Sequence, residues 1–231
     1  MARTPRNLSG RPARDQFASA FVDLMTSLMV IFILLLVARL NNQAGMRAAL
    51  AEKLERELRQ SVPAQERSQI GRDNRDPNTI VITVPDQAMS FDLQEAALKP
   101  SGVQFLGSHI PGWAKILCSA DVRAGLDTVV VEGHSDSTRW QGSSFEESKE
   151  KNLALSQQRS MAVVSTSLGL LRDNAAYRDC FLQTLSATGR GEEDPVDRET
   201  ANSPKNRRVT FKIRLRPELA PGVAESLSLA Q

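Results

Sequence analysis

The longest apolar stretch of the chain covers residues 17–38, near the N-terminus. Among these 22 residues the only charged side chain is that of Asp23. A helix rises about 1.5 Å per residue, so this stretch is roughly 33 Å long as a helix and can cross a hydrocarbon core of about 30 Å. The pattern predicts a transmembrane helix over residues 17–38.

A cleaved signal peptide is the alternative, because residues 24–38 are uncharged and follow a basic leader, residues 1–16. No small-x-small cleavage site follows the stretch, however, and its apolar character extends back beyond Asp23. We therefore favour a retained span. The leader contains four arginines, whereas only Arg39 and Arg47 come soon after the span. This bias predicts a single-pass protein with a cytoplasmic N-terminus and the rest of the chain outside the cytoplasm.

Asp23 is costly inside a span, since a carboxylate raises the insertion free energy by on the order of 2.5–3.5 kcal/mol at the helix centre. Ser19, Thr26 and Ser27 share its helix face. Such a stripe predicts contact with protein or water rather than lipid. One interpretation is an interfacial carboxylate that reaches the headgroups. In the other interpretation Asp23 carries an ion, with Thr26 and Ser27 beside it. Its carboxyl group would be neutral when it faces protein and ionised when it faces water.

Beyond the span lies a connector, residues 39–78, in which apolar residues recur every four positions: Met46, Leu50, Leu54 and Leu58. This spacing predicts a short amphipathic helix. Three interpretations fit it: a dimeric coiled coil, a plug that lies on the membrane, or a solvated continuation of the span, of which we favour the last two. Residues 61–78 have the composition of a linker.

Residues 79–216 alternate between β-branched runs and helical periodicity, which predicts an α/β (α+β) domain of order β-α-β-α-β-β with both helices on one face of the sheet. A disordered tail is expected over residues 217–231. The predicted strands are 80–84, 128–131, 182–187 and 209–215, and the predicted helices are 99–117 and 147–171.

The 29 Lys and Arg residues nearly balance the 27 Asp and Glu residues, so the formal charge is +2. Nucleic-acid-binding domains usually carry a clear basic excess, and nucleic acid is therefore not an expected partner. The sequence contains no pattern typical of a nucleophile–base pair, a phosphate-binding loop or a metal cluster. We expect neither an enzyme nor a metal or organic cofactor.

The two cysteines follow the two predicted helices of the outer domain. Cys118 precedes the second strand and Cys180 precedes the third, so both connections lie at the same end of a β-α-β-α-β unit. Their Cα atoms can then come within the roughly 4.4–6.8 Å that a bridge needs, in an oxidising compartment. We predict a disulfide between Cys118 and Cys180.

Four short motifs follow one another in the outer domain. Together they resemble the OmpA-like peptidoglycan-binding domain, over residues 79–216. The resemblance implies that Asp136 binds the amine, and Arg159 the carboxylate, of the diamino acid in the peptide stem, as suits the chemistry of both groups. It makes Arg207 a further contact for peptidoglycan. The loop after Asp136 is longer than in the outer-membrane porins of that family. The motifs are Gly133-His134-Ser135-Asp136, Asn152 to Arg159, Gly189-Arg190-Gly191 and Asn206-Arg207-Arg208-Val209.

The start of the span, Asp23-Leu24-Met25-Thr26-Ser27-Leu28-Met29, resembles the signature of MotB/ZorB-type stator subunits. The resemblance implies an inner-membrane homodimer inside a pentamer of MotA- or ZorA-like multi-span partners, anchored to peptidoglycan, with Asp23 carrying H⁺ or Na⁺. The compact connector favours the ZorB branch, from the Zorya antiphage system, over flagellar MotB. A passive wall tether is the alternative, but a tether needs no intramembrane acid. An enzyme that acts on peptidoglycan is a further alternative, but the sequence lacks the zinc or nucleophile site that such an enzyme needs.

Overall fold

The computed structural model describes residues 12–89 and 91–217. The predicted tail therefore lies outside the described residues apart from residue 217, as does most of the predicted leader. The chain divides into two compact units between Gly45 and Met46. The first unit is the N-terminal part of α1, a helix that runs from Pro12 to Ser61 and so begins within the predicted leader.

The predicted span lies in α1, where apolar side chains from Phe17 to Leu40 are 44–74% exposed. Among the described residues, one helix is long and apolar enough to cross a membrane. Backbone groups in lipid must be satisfied internally, and a continuous helix meets that requirement. The α1 segment is therefore a candidate membrane span.

The second unit is built on a five-stranded sheet of order β1-β2-β5-β3-β4. Strand β3 pairs with β4 in parallel, and the other neighbours are antiparallel. The strands are β1 Ile70–Arg72, β2 Thr79–Pro85, β3 Leu126–His134, β4 Leu185–Gly189 and β5 Arg208–Leu215, and the helices are α2 Asp86–Met89, α3 Pro100–Leu117, α4 Ala120–Gly125, α5 Phe145–Leu170 and α6 Ala175–Thr184, with 3₁₀ turns at Ala64–Gln69 and Pro204–Asn206.

Alternate residues of the central strands face α3 and α5 and form the core, as the period of two along a strand requires. The buried set includes Ile80 and Ile82 of β2, Val129 of β3 and Phe211 of β5. The ring of Trp113 on α3 meets that of Phe211 edge-on, with 5.2 Å between centroids. The predicted α/β architecture with both long helices on one face is confirmed.

The connector is helical and continues the predicted span within α1, as the third interpretation has it, but its apolar stripe is not solvated. The coiled-coil and plug interpretations are not needed to cover the stripe. Leu50, Leu54 and Leu58 of α1 are fully buried and belong to the core of the second unit. The face is fixed by polar contacts as well: Lys53 pairs with Asp121, and Glu55 with Arg72. Three buried leucines contribute about 1.5–3 kcal/mol each, which explains why this stripe packs against the domain.

The predicted linker over residues 61–78 is also wrong in part. Residues Ala64–Gln69 form a 3₁₀ turn, and β1 pairs with β2 through Ile70 opposite Ile82. Ile70 is buried, and this single apolar residue anchors a short edge strand. The strand predicted over residues 182–187 begins only at Leu185, because residues 182–184 complete α6.

The predicted disulfide is confirmed. Cys118 caps the C-terminus of α3 and Cys180 lies in α6, with Cα atoms 6.1 Å apart. The bridge ties the two helices across a sequence separation of 62 residues.

Candidate functional site

The candidate site lies where β3 ends, beside the N-terminal half of α5 and the start of β5. The side chain of Asp136, two residues beyond β3, is buried. Its Oδ1 accepts a hydrogen bond from the amide of Thr138 at 3.1 Å, and its Oδ2 accepts one from Nη1 of Arg207 at 2.7 Å. The carboxylate is thus oriented and only partly satisfied, since a carboxylate has about four acceptor positions.

Arg207 bridges two carboxylates. Besides Asp136 it contacts Asp86, whose Oδ2 accepts from Nε at 3.1 Å. Burial opposes the charge, but the hydrogen bonds from Arg207 to Asp136 and Asp86 outweigh it, and the pKa of Arg207 is raised. Arg207 therefore serves first to fix the Asp136 carboxylate at the mouth of the site.

Arg159, on α5, is a buried cation without a carboxylate partner within 4 Å among the described residues. Its Nε donates to the carbonyl of Glu95 at 2.9 Å and its Nη2 to the carbonyl of Asp92 at 3.0 Å. Its guanidinium also lies 4.9 Å from the ring centroid of Phe91. Burial lowers the pKa of Arg159, the direction expected for a cation held away from water. An incoming carboxylate would offset that cost, because the guanidinium fork matches its geometry.

Helix α5 comes unusually close to the strand ends, and two glycines of the motifs allow this. A Cβ at Gly133 would lie 2.1 Å from the carbonyl oxygen of Ser156, and one at Gly189 would lie 2.5 Å from the amide nitrogen of Gln157. The hydroxyl of Ser156 accepts from the amide of Gly191 at 2.9 Å. This approach brings Arg159 within reach of the end of β3.

The long loop after Asp136 is fixed by Asn152 of α5. The side chain of Asn152 donates to the carbonyls of Asp136 and Thr138, at 3.4 and 3.2 Å, and accepts from Nε1 of Trp140 at 2.8 Å. The helix itself begins with a capping box between Ser144 and Glu147, an arrangement worth about 1 kcal/mol. The loop is therefore an ordered wall of the site.

Asp136, Arg159 and Arg207 line one cleft, as the sequence led us to expect. Its volume of about 20 Å³ has room for about one water molecule. The segment between α2 and α3 narrows it: Leu93 and Gln94 line the cleft, and Phe91 forms a bridge with Leu98. A ligand larger than a water molecule must displace lining residues to enter this cleft. The carbonyls of Asp92 and Glu95 occupy two of the five N–H donors of Arg159 and leave the others for a ligand.

Sequence reasoning missed Asp86 and the carbonyls of Asp92 and Glu95. Asp86 follows β2 directly, and an acidic residue at a strand end beside the site was the signal available for it. No sequence signal identifies a backbone carbonyl as a ligand. Asp86 binds Arg207, and the two carbonyls bind Arg159, so each arginine of the site has partners of its own within the domain.

The membrane-segment residues lie in the first unit. Ser19, Asp23, Thr26 and Ser27 occupy one face of α1, all with exposed side chains. The hydroxyl of Thr26 donates to the carbonyl of Val22 at 2.8 Å, which satisfies it within its own helix. Asp23 is the one charged residue of this stripe.

The second unit shares its fold with a MotB-like protein from Desulfovibrio vulgaris, at 22% identity and TM-score 0.54, over 75% of this chain and 99% of that one. The cell wall anchor of the T6SS from Pseudomonas aeruginosa also matches, at 22% identity and TM-score 0.44, over 71% of this chain and 97% of that one. So does the periplasmic domain of Helicobacter pylori MotB, at 15% identity and TM-score 0.43, over 65% and 90%. No family model and no curated protein matches the sequence. The first of these likenesses establishes a mixed α/β fold of the MotB-like kind.

Proposed function

We propose that this chain is the peptidoglycan-anchored, ion-carrying subunit of a stator-type motor in the bacterial inner membrane. One observation carries the anchoring role: Asp136, Arg159 and Arg207 converge on one cleft, with Arg159 buried and unpaired by any described carboxylate. In this proposal the chain crosses the membrane once, with its N-terminus in the cytoplasm and its second unit in the periplasm.

The cleft suits the zwitterionic end of a diamino acid in a peptide stem. Asp136 has acceptor positions left for an ammonium group while it keeps Arg207. Arg159 has N–H donors left for a carboxylate while it keeps the carbonyls of Asp92 and Glu95. Entry of such a ligand displaces residues that line the cleft.

The ion-carrying role falls to Asp23. A carboxylate that alternates between water and a protein-lined position gains and loses an ion as its surroundings change. Two copies of the chain would present two such carboxylates inside a pentamer of MotA- or ZorA-like multi-span partners, with H⁺ or Na⁺ as the transported ion. Thr26 and Ser27 would tune hydration on the same face.

Within this class we favour the ZorB branch of the Zorya antiphage system over flagellar MotB. What supports this is the connector: residues from Met46 onward belong to the second unit, so only residues 39–45 separate the predicted span from it. A neighbouring gene for a multi-span partner, and protection against phage rather than motility, would distinguish the two branches.

The test of anchoring is co-sedimentation of the detergent-solubilised chain with purified sacculi. The double variant Asp136→Ala/Arg159→Ala should stay in the supernatant, because losing a buried charge-assisted contact costs on the order of 2–5 kcal/mol, at least about tenfold in affinity. Arg172→Ala/Asp173→Ala is the matched control, since it removes the same charges at exposed positions beyond α5. Pelleting of the first variant like the wild type, with unchanged circular dichroism, would refute the site.

A further inference from the structure

Asp86 contacts the candidate site from outside the cleft. The cleft is lined by Asp136, Arg159 and Arg207, whereas Asp86 is not among the described residues that line it. Its Oδ2 accepts from Nε of Arg207 at 3.1 Å, and its backbone amide donates to the carbonyl of Arg207 at 3.2 Å. Asp86 begins α2 directly after β2, and the pairing of β2 with β5 holds it beside Arg207. A group in this place acts on a ligand through the arginine and not by contact.

The charge of Asp86 acts on both arginines of the site. Burial opposes the charge of Arg207, but the hydrogen bonds with Asp136 and Asp86 raise its pKa. Burial lowers the pKa of Arg159, and the nearby negative charges that oppose this effect are those of Asp86 and then Asp136. The side chain of Asp86 is partly buried, and salt screens a partly buried charge much less than an exposed one. Asp86 is thus a counterion that the two arginines share.

The four charged side chains of the site sum to zero. Asp86 and Asp136 supply two negative charges, and Arg159 and Arg207 supply two positive charges. The end of a diamino acid that carries one ammonium and one carboxylate group has no net charge either. Without the charge of Asp86 the site would be positive, and Asp136 would be the remaining carboxylate within 4 Å of Arg207 among the described residues.

The other charged groups near Asp86 change this balance little. Lys99 forms an ion pair with Asp92 at 2.6 Å, so these two charges cancel. Glu95 is exposed, and solvent screens an exposed charge strongly. Asp86 is therefore the group outside the cleft whose charge decides the balance at the two arginines.

We propose that Asp86 is a positioning residue that makes the cleft specific for a ligand with both an ammonium and a carboxylate group. Asp86 holds Nε of Arg207, so Asp136 keeps acceptor positions and negative charge for the ammonium group. Without the charge of Asp86, Arg207 would neutralise Asp136 alone, and the cleft would favour a ligand with carboxylates and no ammonium group. This inference rests on the proposed function, because it concerns the same cleft.

The test uses the full chain in detergent micelles, labelled with ¹⁵N-tryptophan. The sequence contains two tryptophans: Trp140 lines the cleft, whereas Trp113 is buried in the core and serves as an internal control. The probes are meso-2,6-diaminopimelate and pimelate, which share the carbon chain and both terminal carboxylates and differ in the amino groups. In the wild type the indole resonance of Trp140 should move saturably, at lower concentrations of diaminopimelate than of pimelate, while that of Trp113 does not move.

Three variants make the result specific. Asp86→Asn removes the charge but keeps an oxygen that can accept from Nε of Arg207. The preference for diaminopimelate, measured as the ratio of the two affinities, should then fall about three- to tenfold, because one partly screened charge is lost near the ligand. Asp86→Glu keeps the charge and should retain most of the preference. Asp173→Asn is the matched control, since it removes a charge at an exposed position beyond α5 and should leave the ratio unchanged.

The ratio separates a role in specificity from damage to the fold. A merely structural role would weaken the binding of both probes by a similar factor in Asp86→Asn. An unchanged ratio in that variant, or an equal fall in Asp173→Asn, would overturn the role of Asp86 while the wild type still binds diaminopimelate. Failure of the wild type to bind diaminopimelate would instead refute the proposed peptidoglycan cleft, and this inference with it.

Discussion

The C-terminal part of α1 should be indispensable to the outer domain, and truncation within it tests this. A fragment of residues 46–217 retains Leu50, Leu54, Leu58 and Val62, all of them buried in the core, whereas a fragment of residues 63–217 lacks them. At about 1.5–3 kcal/mol each, the four side chains contribute about 6–12 kcal/mol by area bookkeeping. That figure is an upper estimate, yet it rivals the whole stability of a typical domain, about 5–15 kcal/mol.

We therefore expect the 46–217 fragment to unfold cooperatively in urea and the 63–217 fragment to be unfolded or molten without denaturant. Tryptophan fluorescence of the variant Trp140→Phe reports the transition, since Trp113 is then the one tryptophan and its buried side chain contacts Phe211 in the core. A single substitution tests the same packing without removing the helix. Leu54→Ala should lower the free energy of unfolding by about 2.7–5 kcal/mol.

The matched control is Leu153→Ala on α5, where the side chain is 51% exposed and the expected change is within about 0.5 kcal/mol. Equal urea midpoints for the two fragments, or for the two substitutions, would refute the assignment of this helix to the core. They would restore the coiled-coil, plug or solvated-helix interpretations of the connector.

Three further predictions concern other parts of the molecule. Native protein should show no reactive thiol, and reduction of the Cys118–Cys180 bridge should lower the free energy of unfolding by about 4 kcal/mol in the chain-entropy model, measurable by urea titration; labelling of both thiols in native protein would contradict this. Asp23→Asn should preserve insertion and partner assembly but abolish ion flux and motility or phage protection, and full activity at normal expression would leave the passive tether as the better explanation. Burial and the charges of nearby arginine and lysine residues lower the pKa of His134 to about 3 from 6.5, so its contribution to stability is present above pH 6.5 and is lost as the pH falls toward 3; an imidazole that protonates near pH 6.5 in a ¹⁵N-histidine spectrum would show this to be wrong.

A helix or strand was predictable where it is long enough for its apolar residues to show a period. The strand around Ile80 and the long helix carrying Arg159 lie where alternation and helical spacing place them. The β1 strand escaped prediction because it has three residues and a single buried side chain, Ile70, too few to show a period. The short helix α6 was missed because its apolar residues, Phe181 and Leu182 among them, also fit a strand.

The connector shows a different limit. Its stripe of Leu50, Leu54 and Leu58 was visible in the sequence, and so was its helical character. What the pattern does not contain is the identity of the surface that the stripe covers, because an apolar face packs equally well on a second copy, a membrane or its own domain. The polar contacts that decide the matter, such as Lys53 with Asp121, join residues far apart in the chain.

The side chains of the candidate site could be predicted from the sequence, whereas the backbone carbonyls that bind them could not. Motif resemblance selected Asp136, Arg159 and Arg207, and the structure places all three at one cleft. The carbonyls that bind Arg159 belong to a loop whose path depends on packing. Burial on the other face of the sheet was not predictable either. Alternation shows that Glu132 and His134 point away from the helices, but it does not show that both side chains are buried.

In the proposed role the chain would be pulled between a wall and a membrane, and the disulfide would then have a mechanical consequence. The bridge closes a covalent ring from Cys118 to Cys180, and both Asp136 and Arg159 lie within that ring. When force is applied at the ends of the chain, the ring cannot be drawn out, so forced unfolding releases about 200 Å less length than the reduced chain would, at about 3.4 Å for each of the 62 residues. A load that unfolds the sheet would thus leave the proposed peptidoglycan contacts, Asp136 and Arg159, tethered within a short distance of each other.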